Sequence, residues 1–524
     1  MLALALAFPT LTYAASVTVG SGTTYDNSAS IYIDSSSTLT NSGTVNNSGS
    51  ISNDGAVNNN AGGALNNSGA ISNNATGTLT NSGTVNNNSG GQINSDGAVN
   101  NNSNGSVNNN GALNINSTGT LTNSGTVSNN SGGQINNNGA LNNNANGSVN
   151  NNGSVNINST GTLTNSGAVN NNATGSINNN GALNNNAGSS VNNNGSVNIN
   201  STGTLTNSGA VNNNATGSIN NNGALNNNSG SSVNNNGAVN INATGILTNS
   251  GVINNNSSGQ INANGSLNNN AGSSVNNSGA LNVNSTGTLV NLGTINNNQT
   301  GNLYVSGTLT DNGSLNNAGG FTLAGKVDGT GAYAQTNGFS QVDGKMTQSK
   351  VDINGGTLYG NGTITSSVKV SGAIQGGSYG TPGKLTVDGS LDLGGTLQEL
   401  IDSSLHYSSI DVNGNLVLGG VLNIMTGSGF AFSLGQSFDI LNFTPGYLSG
   451  QFASMNEGSL TGSGNFLDIG GGLALSLLYN PGSVLLNVVA AADPVPEPPA
   501  TALMLAGLAA MAWLGRRKQS PSML

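Results

Sequence analysis

The chain contains no cysteine. Disulfides, thiolate metal sites and cysteine nucleophiles are thereby excluded, and stability must have another source. Charge is almost as scarce: charged residues are 5% and aromatics 4% of 524 positions. That composition does not describe a string of ordinary globular domains, whatever the length. No Lys or Arg precedes Lys326, no aromatic lies between Tyr32 and Tyr304, and no proline lies between Pro9 and Pro382. Acidic residues stop at Asp96 and resume at Asp311. The net charge of −10 is therefore dilute and sits mainly in the C-terminal third. With no basic face to meet phosphates, nucleic acid is excluded as a partner.

What is present is a repeat. From about residue 37 a branched apolar residue recurs among Gly, Ser, Thr and Asn: Leu163, Val169, Ile177, Leu183, Val191, Val197, then Leu205. The gaps alternate between six and eight, and Leu79, Leu121, Leu163, Leu205, Leu247 and Leu289 hold a period of 42 without a slip. Each unit reads Gly, small residue, apolar residue, polar residue, as in Gly161-Thr162-Leu163-Thr164 or Gly181-Ala182-Leu183-Asn184. One inward apolar residue flanked by outward polar ones is the pattern of a very short strand, with the glycine supplying a turn of positive φ. Such a strand buries nothing alone, but stacked copies form continuous columns. Asparagines such as Asn170-Asn171-Asn172 are placed at corners, where they stack into amide ladders. A two-sided coil would close after 14 residues, whereas three sides return to register only after coils of 20 and 22, which gives the 42 observed. Ile115, Ile157, Ile199 and Ile241 mark one strand at that period. The fold class expected is thus all-β, a three-sided β-solenoid over residues 37–320, following an N-terminal cap at 16–36. At ~4.8 Å per coil the regular part makes a rod of roughly 65 Å. The competing reading, an unfolded Asn-rich tract, gives no reason for a strict apolar period.

Near residue 320 the period ends and strands lengthen, as in Lys384-Leu385-Thr386-Val387 and Phe438-Asp439-Ile440-Leu441-Asn442-Phe443. With Gly355-Gly356-Thr357-Leu358-Tyr359-Gly360-Asn361-Gly362 and Gly414-Asn415-Leu416-Val417-Leu418-Gly419-Gly420, residues 321–490 resemble autotransporter passenger domains. That resemblance implies wider β-helix coils closed by a cap carrying the aromatics.

Candidate chemistry is sparse. His406 is the only histidine, and Ser404, Ser408, Ser409 and Asp411 beside it form a loose Ser/His/Asp set. Glu399 and Asp402 could pair as carboxylates, which keeps open a polysaccharide-acting β-helix enzyme with its site in 320–490. Asp54-Gly55, Asp96-Gly97 and Asp328-Gly329 read as turns, without the run of oxygen ligands that a calcium loop needs. The expectation is therefore a non-enzyme with no catalytic residues, metal or cofactor.

The chain ends carry addresses. Met1 to Tyr13 is apolar and ends in small residues, so 1–15 reads as a signal peptide cleaved at Ala14 or Ala15; it lacks a basic start, as though the initiator were placed too far downstream. Pro496-Glu497-Pro498 lies in a 491–499 linker, followed by an apolar run at 500–515 and Arg516-Arg517-Lys518 in a 516–524 tail. This order resembles the PEP-CTERM sorting signal of Gram-negative bacteria, which implies an exosortase as processing partner and a link to exopolysaccharide. Physically, the run forms a short transmembrane α-helix in the inner membrane, and the basic residues hold its end in the cytoplasm. No translocator barrel follows the passenger-like region. The function expected is an exported structural or adhesin-like repeat protein, anchored and then released to the cell surface or matrix.

Overall fold

The computed structural model describes residues 12–13, 16–491 and 500–516. Its body is a parallel β-solenoid of about 19 turns. Each four-residue strand pairs with the strand three places on: Thr78–Asn81 with Ala98–Asn101, and that with Thr120–Asn123. The coil is three-sided. Equivalent residues on successive coils lie 20 and then 22 positions apart, as the sequence predicts. The alternation arises at the corners: two residues separate Thr162–Asn165 from Ala168–Asn171, but four separate that strand from Ser176–Asn179.

Within each strand the second and fourth residues point inward and the first and third outward, shown by the recurrent alternation of half-buried and buried positions. The second residues build three apolar columns, for example Leu121, Leu141 and Leu163, or Val127, Val149 and Val169, or Ile135, Val155 and Ile177, all essentially inaccessible. The fourth position is where the structure departs from a purely apolar core. On two corners it is asparagine coil after coil. Asn171 Nδ2 donates to Asn193 Oδ1 at 2.8 Å and to the Ser196 carbonyl at 2.9 Å, while its Oδ1 accepts from Asn151 at 2.8 Å. Each buried amide thus links two coils and ties a backbone carbonyl, which removes most of its desolvation penalty. All these amides donate toward the C-terminus, a head-to-tail arrangement in which each bond polarises the next. The ladder that starts at Asn41 ends where Asn291 donates to Asp311 Oδ1 at 2.6 Å. A carboxylate is an acceptor only, which suits the last rung of a donor-led chain. On the third corner Ile115, Ile157, Ile199 and Ile241 alternate with Asn137, Asn179 and Asn221, so no continuous amide ladder forms there.

The repeat glycine serves a different purpose from the one its sequence position suggests. Gly161 and Gly181 do not have positive φ; that conformation belongs to turn glycines such as Gly132 and Gly188. A Cβ on Gly181 would lie 2.2 Å from the Gly161 carbonyl oxygen and 2.3 Å from that of Asn158. The residue is glycine because the backbone of the coil below passes through the space a side chain needs.

Beyond residue 320 the coils tighten before they widen. Lys345–Ile353 is one strand that runs across two faces, with a bulge between Thr347 and Lys350. Partners on adjacent coils are here 18 residues apart, as for Asn361 and Asp343, and later 31 apart, as for Asn442 and Asp411. The tightening was not expected; the widening was. Aromatics join the aliphatics in this core, with Phe321 and Tyr333 rings 5.6 Å apart. The C-terminal edge is closed by antiparallel pairing of Ser437–Phe443 with Ser483–Ala490, which also holds Leu473–Tyr479. Tyr407, Phe430, Phe432 and Phe438 pack edge to face beside it. This cap consumes edge hydrogen-bonding groups that would otherwise template another chain.

At the other end Thr12–Tyr13 pairs in parallel with Ile31 and Tyr32. The expected leader otherwise falls outside the described residues, as do Ala14 and Ala15. The last element is the α-helix Ala500–Arg516, of 17 residues. Among the described residues no helix is long and apolar enough to cross a membrane. The shortfall has a plain cause: 17 residues rise about 26 Å, less than the ~30 Å of hydrocarbon.

Three substitutions test this packing. Asn171→Ala strips a donor and an acceptor from neighbouring buried amides and should cost about 1–3 kcal/mol, while Asn170→Ala on the outer surface stays within about 0.5 kcal/mol. Gly181→Ala should cost about 1–3 kcal/mol because two backbone oxygens must move. Chemical denaturation of the full chain reads all three; equal midpoints for Asn171→Ala and Asn170→Ala would contradict the inner ladder.

Candidate functional site

The catalytic candidates are separated by the fold. Glu399 lies on Thr396–Ser403 with Leu397 and Ile401, all pointing into the core and fully buried. Neither of its carboxylate oxygens has a hydrogen-bond partner. Burial alone pushes its carboxyl well above the ordinary 4.5, so it is held as the neutral acid. Asp402, three residues on, is partly exposed and faces His406 at 3.4 Å. The pair Glu399 and Asp402 therefore does not form a two-carboxylate site, since only one can touch a substrate. The Ser/His/Asp set is not assembled either. Asp411 is bound to Lys384 at 2.7 Å, and Ser408 is buried, donating to the Gly376 carbonyl at 2.8 Å.

The regular rod offers surface instead of a cleft. Its outward third positions carry amide rows that run opposite to the inner ladders: Asn170 donates back to Asn150, Asn192 to Asn170 and Asn212 to Asn192, each at 2.8 Å. A second row on the Ile-bearing face extends from Asn94 to Asn282. Each rung keeps a spare N–H and carbonyl lone pair for a partner. No charged residue interrupts the chain between Asp96 and Asp311. Among the described residues the ion pairs, Lys326 with Asp328, Lys350 with Asp352, Lys384 with Asp411 and Asp402 with His406, all lie beyond the regular rod.

One surface feature escaped the sequence reading. Phe339, Thr357, Tyr359 and Tyr379 line a cleft of about 340 Å³ on the Ile-bearing face. Phe339 and Tyr359 are stacked with centroids 5.8 Å apart and planes 25° apart, and Tyr379 stands 6.4 Å from Tyr359. The signal was available: these are among the first aromatics after a stretch that excludes them.

The sorting residues Pro496, Glu497 and Pro498 lie outside the described residues, as do Arg517 and Lys518; Arg516 ends the helix.

With a parallel β-solenoid established, comparison with known proteins yields two matches of family type. The PEP-CTERM protein-sorting motif matches residues 494–518. The haemagglutinin repeat matches residues 10–83, 72–139, 124–167 and 252–307. The intervening stretch carries the same 42-residue unit through Leu163, Leu205 and Leu247. The chain thus joins haemagglutinin repeats to a PEP-CTERM sorting motif. No curated protein matches it. Among solved structures, the crystal structure of the TibC-catalyzed hyper-glycosylated TibA55-350 fragment is 20% identical, covering 55% of this chain and 95% of that one, with a TM-score of 0.37. The Haemophilus influenzae Hap adhesin is 14% identical, covering 90% of this chain and 64% of that one, with a TM-score of 0.33.

Glu399 generates a prediction with a defined sign. Its folded pKa lies above the unfolded value, so its contribution is fully present below about pH 4.5 and is lost as pH rises through the folded value. Glu399→Gln should remove that part of the pH dependence and stabilise the C-terminal third at pH 8. Urea midpoints of both proteins at pH 4 and pH 8 check it; an unchanged pH slope would contradict the assignment.

Proposed function

We propose that this chain is an exported, adhesin-like rod that an exosortase processes at its C-terminus and that then serves at the cell surface or in the extracellular matrix. The observation that carries the reading is the joining of a haemagglutinin-repeat solenoid to a PEP-CTERM motif at 494–518. Before processing, the tail anchors the chain in the inner membrane of a Gram-negative bacterium. The short apolar helix is accommodated by local thinning, and Arg516, Arg517 and Lys518 remain on the cytoplasmic side. Residues 1–15 act as the export leader. The exosortase reads the Pro496-Glu497-Pro498 motif that precedes the apolar run.

Once released, the rod works through extent and surface chemistry. An uncharged face of amides and hydroxyls suits exopolysaccharide as partner, because hydroxyl groups can exchange water for amide contacts without desolvating a charge. The scattered catalytic candidates favour this role over a polysaccharide-cleaving one.

Mass spectrometry of the exported chain, produced in a host that carries an exosortase, tests the sorting step. A mature C-terminus close to Glu497 or Pro498 is expected, with Arg516-Arg517-Lys518 missing. An intact tail on all exported protein would contradict processing.

A further inference from the structure

The Ile-bearing face changes character along its length. Its outer amide row ends at Asn282, and the same register position is Tyr304 on the next coil, then Thr322, Gln341 and Tyr359. Rings thus enter, at Tyr304 and Tyr359, the line that amides occupied. Phe339 lies across Gly320, where a Cβ would sit 3.0 Å from its Cζ, so the missing side chain lets the ring lie flat. Tyr379 tops a hairpin formed by Ala373–Ser378 and Thr381–Pro382, which Gly380 tightens at φ +71°. That ring is 84% exposed, whereas Tyr359 beneath it is 7% exposed.

The charges beside the cleft narrow its occupant. Asp343 accepts from Gln341 Nε2 at 2.5 Å and from the Asn361 backbone N–H at 3.0 Å. Its negative charge reaches the Tyr359 phenol, which burial and then Asp343 push upward. No cation lines the cleft. Nucleotides and acidic sugars would thus bring a negative charge toward Asp343 with nothing to compensate it. An apolar peptide would desolvate the neighbouring Asp343 carboxylate without bringing it a further donor. A pyranose ring has the matching chemistry: apolar C–H faces for the aromatic planes and hydroxyls around its rim for the amide and carboxylate.

We propose that Phe339, Tyr359 and Tyr379 form a docking site for a neutral hexopyranose unit of a polysaccharide, with Gln341 and Asp343 hydrogen-bonding its hydroxyls. The assignment rests on the adhesin-like reading and gives it a location. The remainder of the glycan runs along the outer amide row toward Asn282.

Calorimetric titration of the full chain with cellohexaose, laminarihexaose, mannohexaose and a galacturonate hexamer tests the site. At least one neutral hexaose should bind and the galacturonate should not. Tyr379→Ala should weaken binding about tenfold, and Tyr379→Phe should retain most of it. The thermal midpoint of Tyr379→Ala should not move, because the ring is exposed. Binding undiminished in Tyr379→Ala would overturn the site while leaving glycan adhesion in place elsewhere on the rod. Failure of every neutral hexaose, or equal binding of the galacturonate, would also overturn it. The adhesin-like role itself is judged separately, by retention of Tyr379→Ala and native protein at the cell surface.

Discussion

A buried asparagine side chain that donates to the asparagine one coil further on is the contact on which the rest of this molecule depends. The columns of Leu, Val and Ile supply apolar burial, but apolar contact has no direction and would tolerate a coil slipping along its neighbour. The amide pair does not. Asn171 meets Asn193 only in one register, and a one-residue slip of either strand would turn its asparagine out of the core. Because each amide also holds a backbone carbonyl, the ladder fixes the corner as well as the stacking. A chain with no cysteine, and no proline between Pro9 and Pro382, obtains its specificity here.

The same economy explains what the rod can do. Inner amides are consumed by one another, outer amides are paired along the row, and charge is absent from Asp96 to Asp311. Chemistry that needs acids, bases or rings is deferred to the C-terminal third, where coils shrink, widen and sprout hairpins. There the fold uses its few special residues in contrasting ways. Glu399 is sealed in the core as a neutral acid, whereas Tyr379 is held out in solvent. The address tail follows the cap, which separates the sorting signal from the solenoid by closing the sheet edge before the linker begins.

Much of the architecture was legible because period and geometry are linked. Alternate gaps of six and eight close a three-sided figure only after two coils, and the pairing of Thr78 with Ala98 and of Ala98 with Thr120 realises that rule. The amide ladder was legible in the Asn170-Asn171-Asn172 corners, but not its division, with Asn171 turned inward beside Val169 and Asn170 outward, because the run of identical residues does not distinguish them. The role of Gly181 was misread for a related reason: a close approach between coils is a tertiary fact, and sequence position alone suggests a turn. Glu399 could have been recognised, since it shares its parity with Leu397 and Ile401. The aromatic cleft depends on a hairpin that brings Tyr379 over Tyr359, and no local pattern carries that contact.

Side-chain amide exchange measured by NMR on the full chain bears most directly on the inner ladder. The Nδ2 protons of Asn151, Asn171 and Asn193 should exchange as slowly as the strand backbone amides around them, with Asn170 and Asn192 exchanging much faster. Equally fast exchange at inner and outer positions would contradict the account.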